Sequence, residues 1–405
     1  MPDALPWDQF TNHYPLTAKS AEPVLIIGAG LAGCWMARTL AQRGIRVTVL
    51  EAGPNPASGA SANPAGIFKP FVTRSSSQAM SFYVQAHQHL LQRLKAWDLL
   101  GKCGFNACGV VQLVEKPYPE SAHYRGLLPQ QMNQILGLHC DAYGLLFEQS
   151  GWLNPSKLCR ALLQHQLVTV ACRRSIKTVK LLSDNRWEVL DNRQSSWRTS
   201  HMVICTGAAL THLPIAGHLP ITPARGQISR FTGSKQMAVI SRVISGKHYL
   251  IPDGNTMIIG ATFERGVCEN SLKSEDNQAN ATSLEEMLPG LINANQLIEA
   301  YAGVRATTPD RLPLVGPIPD AVACDRIYAD LHHGRNLSDY PTLPSHAGAF
   351  VLGGLGSRGI VTAPFAAELL ADHIMGGDEI AQWSSLLNPA RFQIRTLKRK
   401  TQSPD

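Results

Sequence analysis

VLIIGAGLAGCWMARTLAQRGIRVTVLEAG, residues 24–53, reads as a short strand, a glycine turn, a helix and a second strand. The run Val24–Ile27 is continuously apolar rather than alternating, the pattern of a central parallel strand covered on both faces. Gly28, Gly30 and Gly33 follow directly as G-x-G-x-x-G, with Ala29, Leu31 and Ala32 between them. The first glycine permits a tight turn, the second lets backbone approach a pyrophosphate, and the third lets helix and strand pack closely. The helix start offers N–H groups and a partial positive charge to the phosphates. Gly44 closes the helix, Ile45–Leu50 forms the second strand, and Glu51 ends it where an acid accepts hydrogen bonds from ribose hydroxyls. Together these features predict a Rossmann-type dinucleotide site.

Working outward, a loop rich in small and turn-forming residues runs from Pro54 to Pro70. Its Ser61 and Asn63 are expected to contact cofactor phosphates or ring edges, and Lys69 to approach the ring. Periodicity predicts a helix around 79–100, and GVVQLVE suggests a strand within the mixed segment 101–150. HMVICTGAA, residues 201–209, reads as another buried strand, with Thr206 and Gly207 in its cofactor-facing turn. Apolar runs between 226 and 263 predict an antiparallel sheet, and SLEEMLPGLINANQLIEA, residues 283–300, a helix. Near the C-terminus, AFVLGGLGSRGIVTAPFAAELLADHIMGG repeats the plan of strand, glycine turn and helix. That helix is expected to start near Thr362–Pro364, with Pro364 in its first turn. Gly356, Ser357, Gly359 and Ile360 would then face the cofactor. Two such turns at opposite ends of the chain suit an extended FAD, one at the pyrophosphate and one beside the isoalloxazine, whose reduced charge a helix N-terminus stabilises.

The predicted fold class is therefore α/β, a discontinuous FAD-binding domain with an inserted antiparallel-sheet substrate domain. The expected boundaries are 22–72, 151–215 and 303–385 for the cofactor domain and 73–150 with 216–302 for the substrate domain. Residues 386–405 form a basic tail.

Of the 405 residues, 44% are hydrophobic and 17% charged, ordinary globular composition. No apolar run is long enough to span a bilayer, and the N-terminus lacks the pattern of a signal peptide, so a cytoplasmic location is expected with no membrane partner. The nine cysteines form no C-x-x-C pair and no cluster with zinc spacing, and are read as reduced, partly buried thiols. His332 and His333 lack an evident third ligand, so no metal is expected. The formal net charge of +7 permits an anionic partner without requiring one.

Several blocks carry a resemblance: GASANPAGIFKP (59–70), RGQIS (225–229), YLIPDG with IIGATFERG (249–266), GVRATTPDRLPLVGPIPD (303–320), GLGSRGIVTAPFAAELLA (354–371) and LLNPARFQIRTLKRK (386–400). The chain resembles the D-amino acid oxidase and glycine oxidase superfamily, whose FAD-binding domain is of the glutathione reductase-like kind. Within it, the chain is similar to the oxidase half of the bifunctional bacterial proteins that make 5-methylaminomethyl-2-thiouridine in tRNA. The resemblance implies FAD as cofactor and the wobble uridine of a tRNA anticodon loop as partner. It also implies removal of a carboxymethyl arm from 5-carboxymethylaminomethyluridine, with glyoxylate as the other product. Only a short stretch precedes Val24, so methyl transfer is not expected from this chain; a separate methyltransferase performs it or it does not occur.

The leaving arm is a glycine substituted on nitrogen. Its carboxylate is best held by an arginine fork, and the resemblance assigns this to Arg305, with Arg358 near the flavin and Tyr249 lining the pocket. Asp310 and Arg311 are read as shaping the loop after Arg305. On a helix, Arg391, Arg395, Lys398 and Arg399 would share a face and, with Lys400, neutralise RNA phosphates. Two other readings stay open: an oxidase of glycine, sarcosine or another small amine, and a flavin-bound RNA-binding protein without turnover.

Overall fold

The computed structural model describes residues 5–10, 15–17, 22–137, 139–233, 239–288, 291, 297–333 and 339–399. The chain divides into two compact units. The first comprises the residues up to Ser58, Leu162–Thr222 and the chain from Ala306 onward; the second comprises Gly59–Ala161 and Pro223–Arg305.

The first unit is built on a six-stranded sheet in the order Leu314–Pro319, Ser345–Gly353, Met202–Ile204, Val24–Ile27, Val47–Leu50 and Val168–Ala171. All neighbours are parallel except the first pair. Val24–Ile27 is buried at every position, as its unbroken apolar run requires. Helices Leu31–Gln42 and Gly359–Ile374 pack against each other and against this sheet. The second of these starts at Gly359, so Pro364 lies inside it rather than in its first turn. Arg358 is its N-cap, and its carbonyl accepts from both Val361 and Thr362 N–H. A three-stranded antiparallel sheet, Ile176–Leu181, Trp187–Asp191 and Ser196–Thr199, was not read from the sequence.

The second unit holds a nine-stranded sheet whose main path runs Glu264–Arg265, Thr222–Thr232, Thr256–Gly260, Tyr249–Asp253, Val243–Ser245, Val110–Val114, Tyr143–Phe147 and Arg125–Leu127. The strand Leu297–Thr307 pairs with Thr222–Thr232 off this path. The segment 226–263 is antiparallel within itself, but Val243–Ser245 runs parallel to Val110–Val114. The helix expected over 283–300 is displaced: a helix spans Ser274–Met287, and Leu297–Thr307 is strand. Its apolar residues at 297 and 298 satisfy a pleated edge as well as a helical stripe, and pairing with a neighbouring strand decided between them. Residues 59–72 and 151–161 belong to this unit rather than the cofactor unit. Gly66–Phe68 pairs with Gly151–Leu153, which binds the two segments together.

The tail is a helix, Arg391–Arg399, that buries Ile394 and Leu397 beside Trp7, Tyr328 and Tyr340. Lys400 and the residues after it lie outside the described residues. Among the described residues no helix is long and apolar enough to cross a membrane, and no group of three His, Cys, Asp or Glu side chains could hold a metal ion.

Candidate active site

In the first unit, the turn after Val24–Ile27 is a cradle with no room for side chains. Gly28 has φ +106°, and a Cβ there would lie 2.5 Å from the Cys205 carbonyl oxygen. A Cβ on Gly33 would collide with the Gly28 carbonyl. The loop is fixed by Gly28 N–H donating to Leu50 O at 2.7 Å and Cys205 N–H donating to Ile27 O at 2.8 Å. Glu51 accepts from Ala29 N–H at 2.7 Å through Oε2 and from Gly53 N–H at 2.7 Å through Oε1. An ionised carboxylate has about four acceptor sites, so capacity for a ribose remains.

Gly30 caps helix Leu31–Gln42 without a side-chain hydrogen bond, and no acid lies in the helix's first turn. Helix Gly359–Ile374 begins in the same way. Both N-termini keep their positive dipole end uncompensated by an acidic side chain in the first turn. Thr206 Oγ1 is buried without a hydrogen-bond partner, next to the Gly28 turn. Gly356, at φ +56°, donates from N–H to Ala306 O at 2.8 Å, which sets the second glycine turn. The acceptor carboxylate, the glycine cradle, the orphaned hydroxyl and the uncapped helix ends fit a dinucleotide such as FAD.

In the second unit, Arg305 is set among Tyr249, Tyr301, Phe263 and Gly226. Its Nη1 is buried and has no hydrogen-bond partner, and no acidic side chain pairs with it among the described residues. Burial pulls the guanidinium pKa below its ordinary value, against the nearby phenols of Tyr249 and Tyr301, which push it up. Burial raises the Tyr249 phenol, opposed by Arg305 and by a side-chain hydrogen bond with Asn63. Tyr249 therefore stays protonated and able to donate. Tyr301 spends its hydroxyl proton on the Gly59 carbonyl at 2.6 Å, tying down the loop that carries Ser61 and Asn63. The Phe263 ring lies under the guanidinium, 5.9 Å from Cζ to centroid. Gly226 lines the remaining wall, since a Cβ there would lie 2.8 Å from Arg305 Cζ.

The structure thus gathers Arg305, Tyr249 and Asn63, and adds Tyr301, Phe263 and Gly226, which the sequence reading missed. Tyr301 and Arg305 are four apart on one strand and share a face; reading 297–300 as helix concealed that signal. Asn63 meets Tyr249 in this unit, its Oδ1 also accepting from Ala65 N–H at 3.2 Å. Lys69 donates to Gln112 Oε1 at 2.7 Å and sits over the Phe147 ring. Ser357 is exposed and Arg358 half-buried at the start of helix Gly359–Ile374.

One basic-tail residue needs correction. Arg391 is 4% exposed and forks onto Asp310, with Nε and Nη2 each 2.8 Å from a carboxylate oxygen. It also donates to Leu312 O at 2.9 Å. Burial alone would raise the Asp310 carboxyl, but the Arg391 bonds and charge more than offset it, so it lies below its ordinary value. Arg391 is therefore unavailable to phosphates. Arg395, Lys398 and Arg399 are exposed, though Arg395 approaches Asp310 at 3.4 Å and Lys398 covers the Trp7 ring.

The family model for FAD dependent oxidoreductases (DAO) matches residues 23–373. Among curated relatives, the tRNA 5-methylaminomethyl-2-thiouridine biosynthesis bifunctional protein MnmC of Azoarcus sp. is 32% identical, over 95% of this chain and 62% of its own length. Its counterpart in Aeromonas hydrophila is 31% identical over 95% of this chain and 61% of its own. That of Legionella pneumophila is 28% identical over 94% and 58%. The chain thus spans about three-fifths of the length of these relatives. Among solved structures, glycine oxidase from Geobacillus kaustophilus superposes with TM-score 0.71 at 19% identity, covering 88% of this chain and 95% of that one. The fructosamine oxidase of Aspergillus fumigatus superposes with TM-score 0.73 at 15% identity, covering 96% and 92%.

Proposed function

Since this chain belongs to the DAO family of FAD-dependent oxidoreductases, we propose that it oxidises the CH–NH bond of a glycine unit carried on the wobble uridine of tRNA. The substrate is 5-carboxymethylaminomethyluridine, with or without 2-thiolation, and the products are 5-aminomethyluridine and glyoxylate. The observation that carries this reading is Arg305: a half-buried arginine with a buried, unpartnered Nη1 and no acidic neighbour among the described residues suits a carboxylate. The MnmC relatives supply the tRNA context.

Arg305 forks onto the substrate carboxylate, and the protonated Tyr249 donates a further hydrogen bond to it. Tyr301 keeps the loop from Gly59 in place beside them. Gly28 to Gly33, Glu51, Thr206 and Gly207 would hold the dinucleotide part of FAD, and the turn Gly356 to Ile360 would serve its flavin part. When bound, the flavin supplies a two-electron acceptor for the hydride leaving the glycine α-carbon. The amine nitrogen lone pair forms the C=N bond as that hydride departs. Water then adds to the imine carbon, and C–N cleavage leaves the amine on the nucleoside and the aldehyde on glyoxylate. Oxygens, hydrogens and electrons balance without a protein acid or base at the α-carbon. Arg358, beside the second glycine turn, is assigned to the flavin.

The test is nucleoside mass spectrometry of tRNA bearing the carboxymethylaminomethyl group, before and after incubation with the FAD-loaded protein. Conversion to the aminomethyl nucleoside with an equal yield of glyoxylate is expected. Unchanged nucleoside alongside rapid turnover of free glycine or sarcosine would replace this reading with a small-molecule oxidase.

A further inference from the structure

Phe263 is 56% exposed, yet it stands against the guanidinium of Arg305. Single exposed apolar side chains are common and by themselves mean little. Phe263 differs in being held. The next residue, Glu264, pairs with Arg225 Nη1 at 2.5 Å and with Lys273 Nζ at 2.7 Å. Arg225 is fully buried and also binds Asp276, Gln227 and the Ser271 carbonyl. The two-residue strand Glu264–Arg265 is laddered onto Ala224 and Arg225. Thr262, on the other side, donates from N–H to Gln227 O and accepts from Gln227 N–H through Oγ1. An aromatic residue whose flanking residues are fixed on both sides is thus more than half exposed and adjacent to a cation without an acidic partner among the described residues.

The geometry points to Phe263 as the stacking surface for the planar ring attached to the glycine nitrogen of the substrate. This rests on the proposed function and names what recognises the ring rather than the arm. Arg305 holds the carboxylate end. From the carboxyl carbon through the α-carbon, nitrogen and methylene to the ring is four bonds, about 5 Å extended, comparable with the 5.9 Å between Arg305 Cζ and the Phe263 centroid. A heterocycle reaching that far meets the exposed ring, and every base has a π-face to offer it. A free amino acid without the ring gains nothing there. Phe263 therefore favours glycine units bearing a planar-ring N-substituent over glycine or sarcosine.

The experiment compares the FAD-loaded wild type with Phe263→Ala, Phe263→Leu and Phe263→Tyr on three substrates. These are the free nucleoside 5-carboxymethylaminomethyluridine, N-benzylglycine and sarcosine. Base–aromatic stacking of about 1–3 kcal/mol converts to a roughly 5- to 150-fold loss of kcat/KM for the two ring-bearing substrates in Phe263→Ala, mostly in KM. Phe263→Leu should fall between and Phe263→Tyr should restore the wild-type value; the loss on sarcosine, which reports only the contact with Arg305, should be several-fold smaller than on the ring-bearing pair. Equal losses on all three substrates, or none on the ring-bearing pair, would overturn the inference. If the wild type leaves tRNA bearing the carboxymethylaminomethyl group unchanged while Phe263 still governs N-benzylglycine against sarcosine, the stacking surface stands and the tRNA reading fails.

Discussion

Replacing Gly226 with alanine tests the arginine pocket without touching a charge. The new methyl would collide with Arg305 Nη1, its nearest neighbour, and would lie 2.5 Å from the Thr262 carbonyl oxygen and 2.8 Å from Arg305 Cζ. Non-bonded carbons prefer about 3.5–4.0 Å, so the guanidinium must retreat by roughly 1 Å. A displacement of about 1 Å at a positioning group costs on the order of 100-fold in rate. Loss of one charge-assisted hydrogen bond, about 1.5–3 kcal/mol, gives a similar roughly 10- to 150-fold. Overpacking against the Thr262 backbone adds about 1–3 kcal/mol of destabilisation, read separately as a lower melting temperature. Anaerobic flavin reduction by the substrate measures the rate, and Arg305→Lys provides the comparison. If Gly226→Ala acts by displacing the guanidinium, the double variant should be little slower than Arg305→Lys alone, because the two changes damage one interaction. Wild-type flavin reduction in Gly226→Ala, or losses that add fully in the double variant, would refute the reasoning.

Gly33→Ala should yield protein that retains little FAD, since its Cβ would collide with the Gly28 carbonyl; the flavin absorbance-to-protein ratio after gel filtration measures this. Glu51→Gln should weaken FAD retention, because its amide group sets a donor against Ala29 or Gly53 N–H where an acceptor stood. Burial depresses His87 and His373 to about 4, so the unfolded chain, with histidines near 6.5, takes up protons first as pH falls. Stability present above about pH 6.5 should decline between there and pH 4, by as much as about 3 kcal/mol per histidine; His87→Phe should flatten part of that slope in urea melts taken across the range. In the tail, Arg391→Ala leaves the half-buried Asp310 with Arg395 at 3.4 Å and the Leu312 N–H, and loss of the two charge-assisted bonds should cost about 1.5–3 kcal/mol of stability. Neutralising exposed Arg395, Lys398 and Arg399 should instead lower the log–log salt slope of tRNA binding by about two, with flavin reduction at saturating tRNA intact; filter binding separates the two outcomes.

The sequence by itself determined the glycine turn after Val24–Ile27 and the acid that closes it. Glycine spacing, an unbroken apolar strand and an acid at the end of the next strand are contiguous signals, and the backbone constraints that demand them act within about thirty residues. The same holds for the second glycine turn, although its helix began at Gly359 because a proline inside a helix costs one backbone bond and does not always mark the start. Arg305 was singled out through its surrounding motif, but nothing local says what surrounds its guanidinium. Gly226, Tyr249, Phe263 and Tyr301 come from separate stretches, and cross-strand pairing between Leu297–Thr307 and Thr222–Thr232 is part of what brings them together. The tail shows the same division. Its charges were countable in the sequence, yet whether an arginine faces water or a carboxylate depends on which side of the helix is buried. Ile394 and Leu397 turn Arg391 inward onto Asp310, a residue far away in the chain, and only the tertiary packing could pair them.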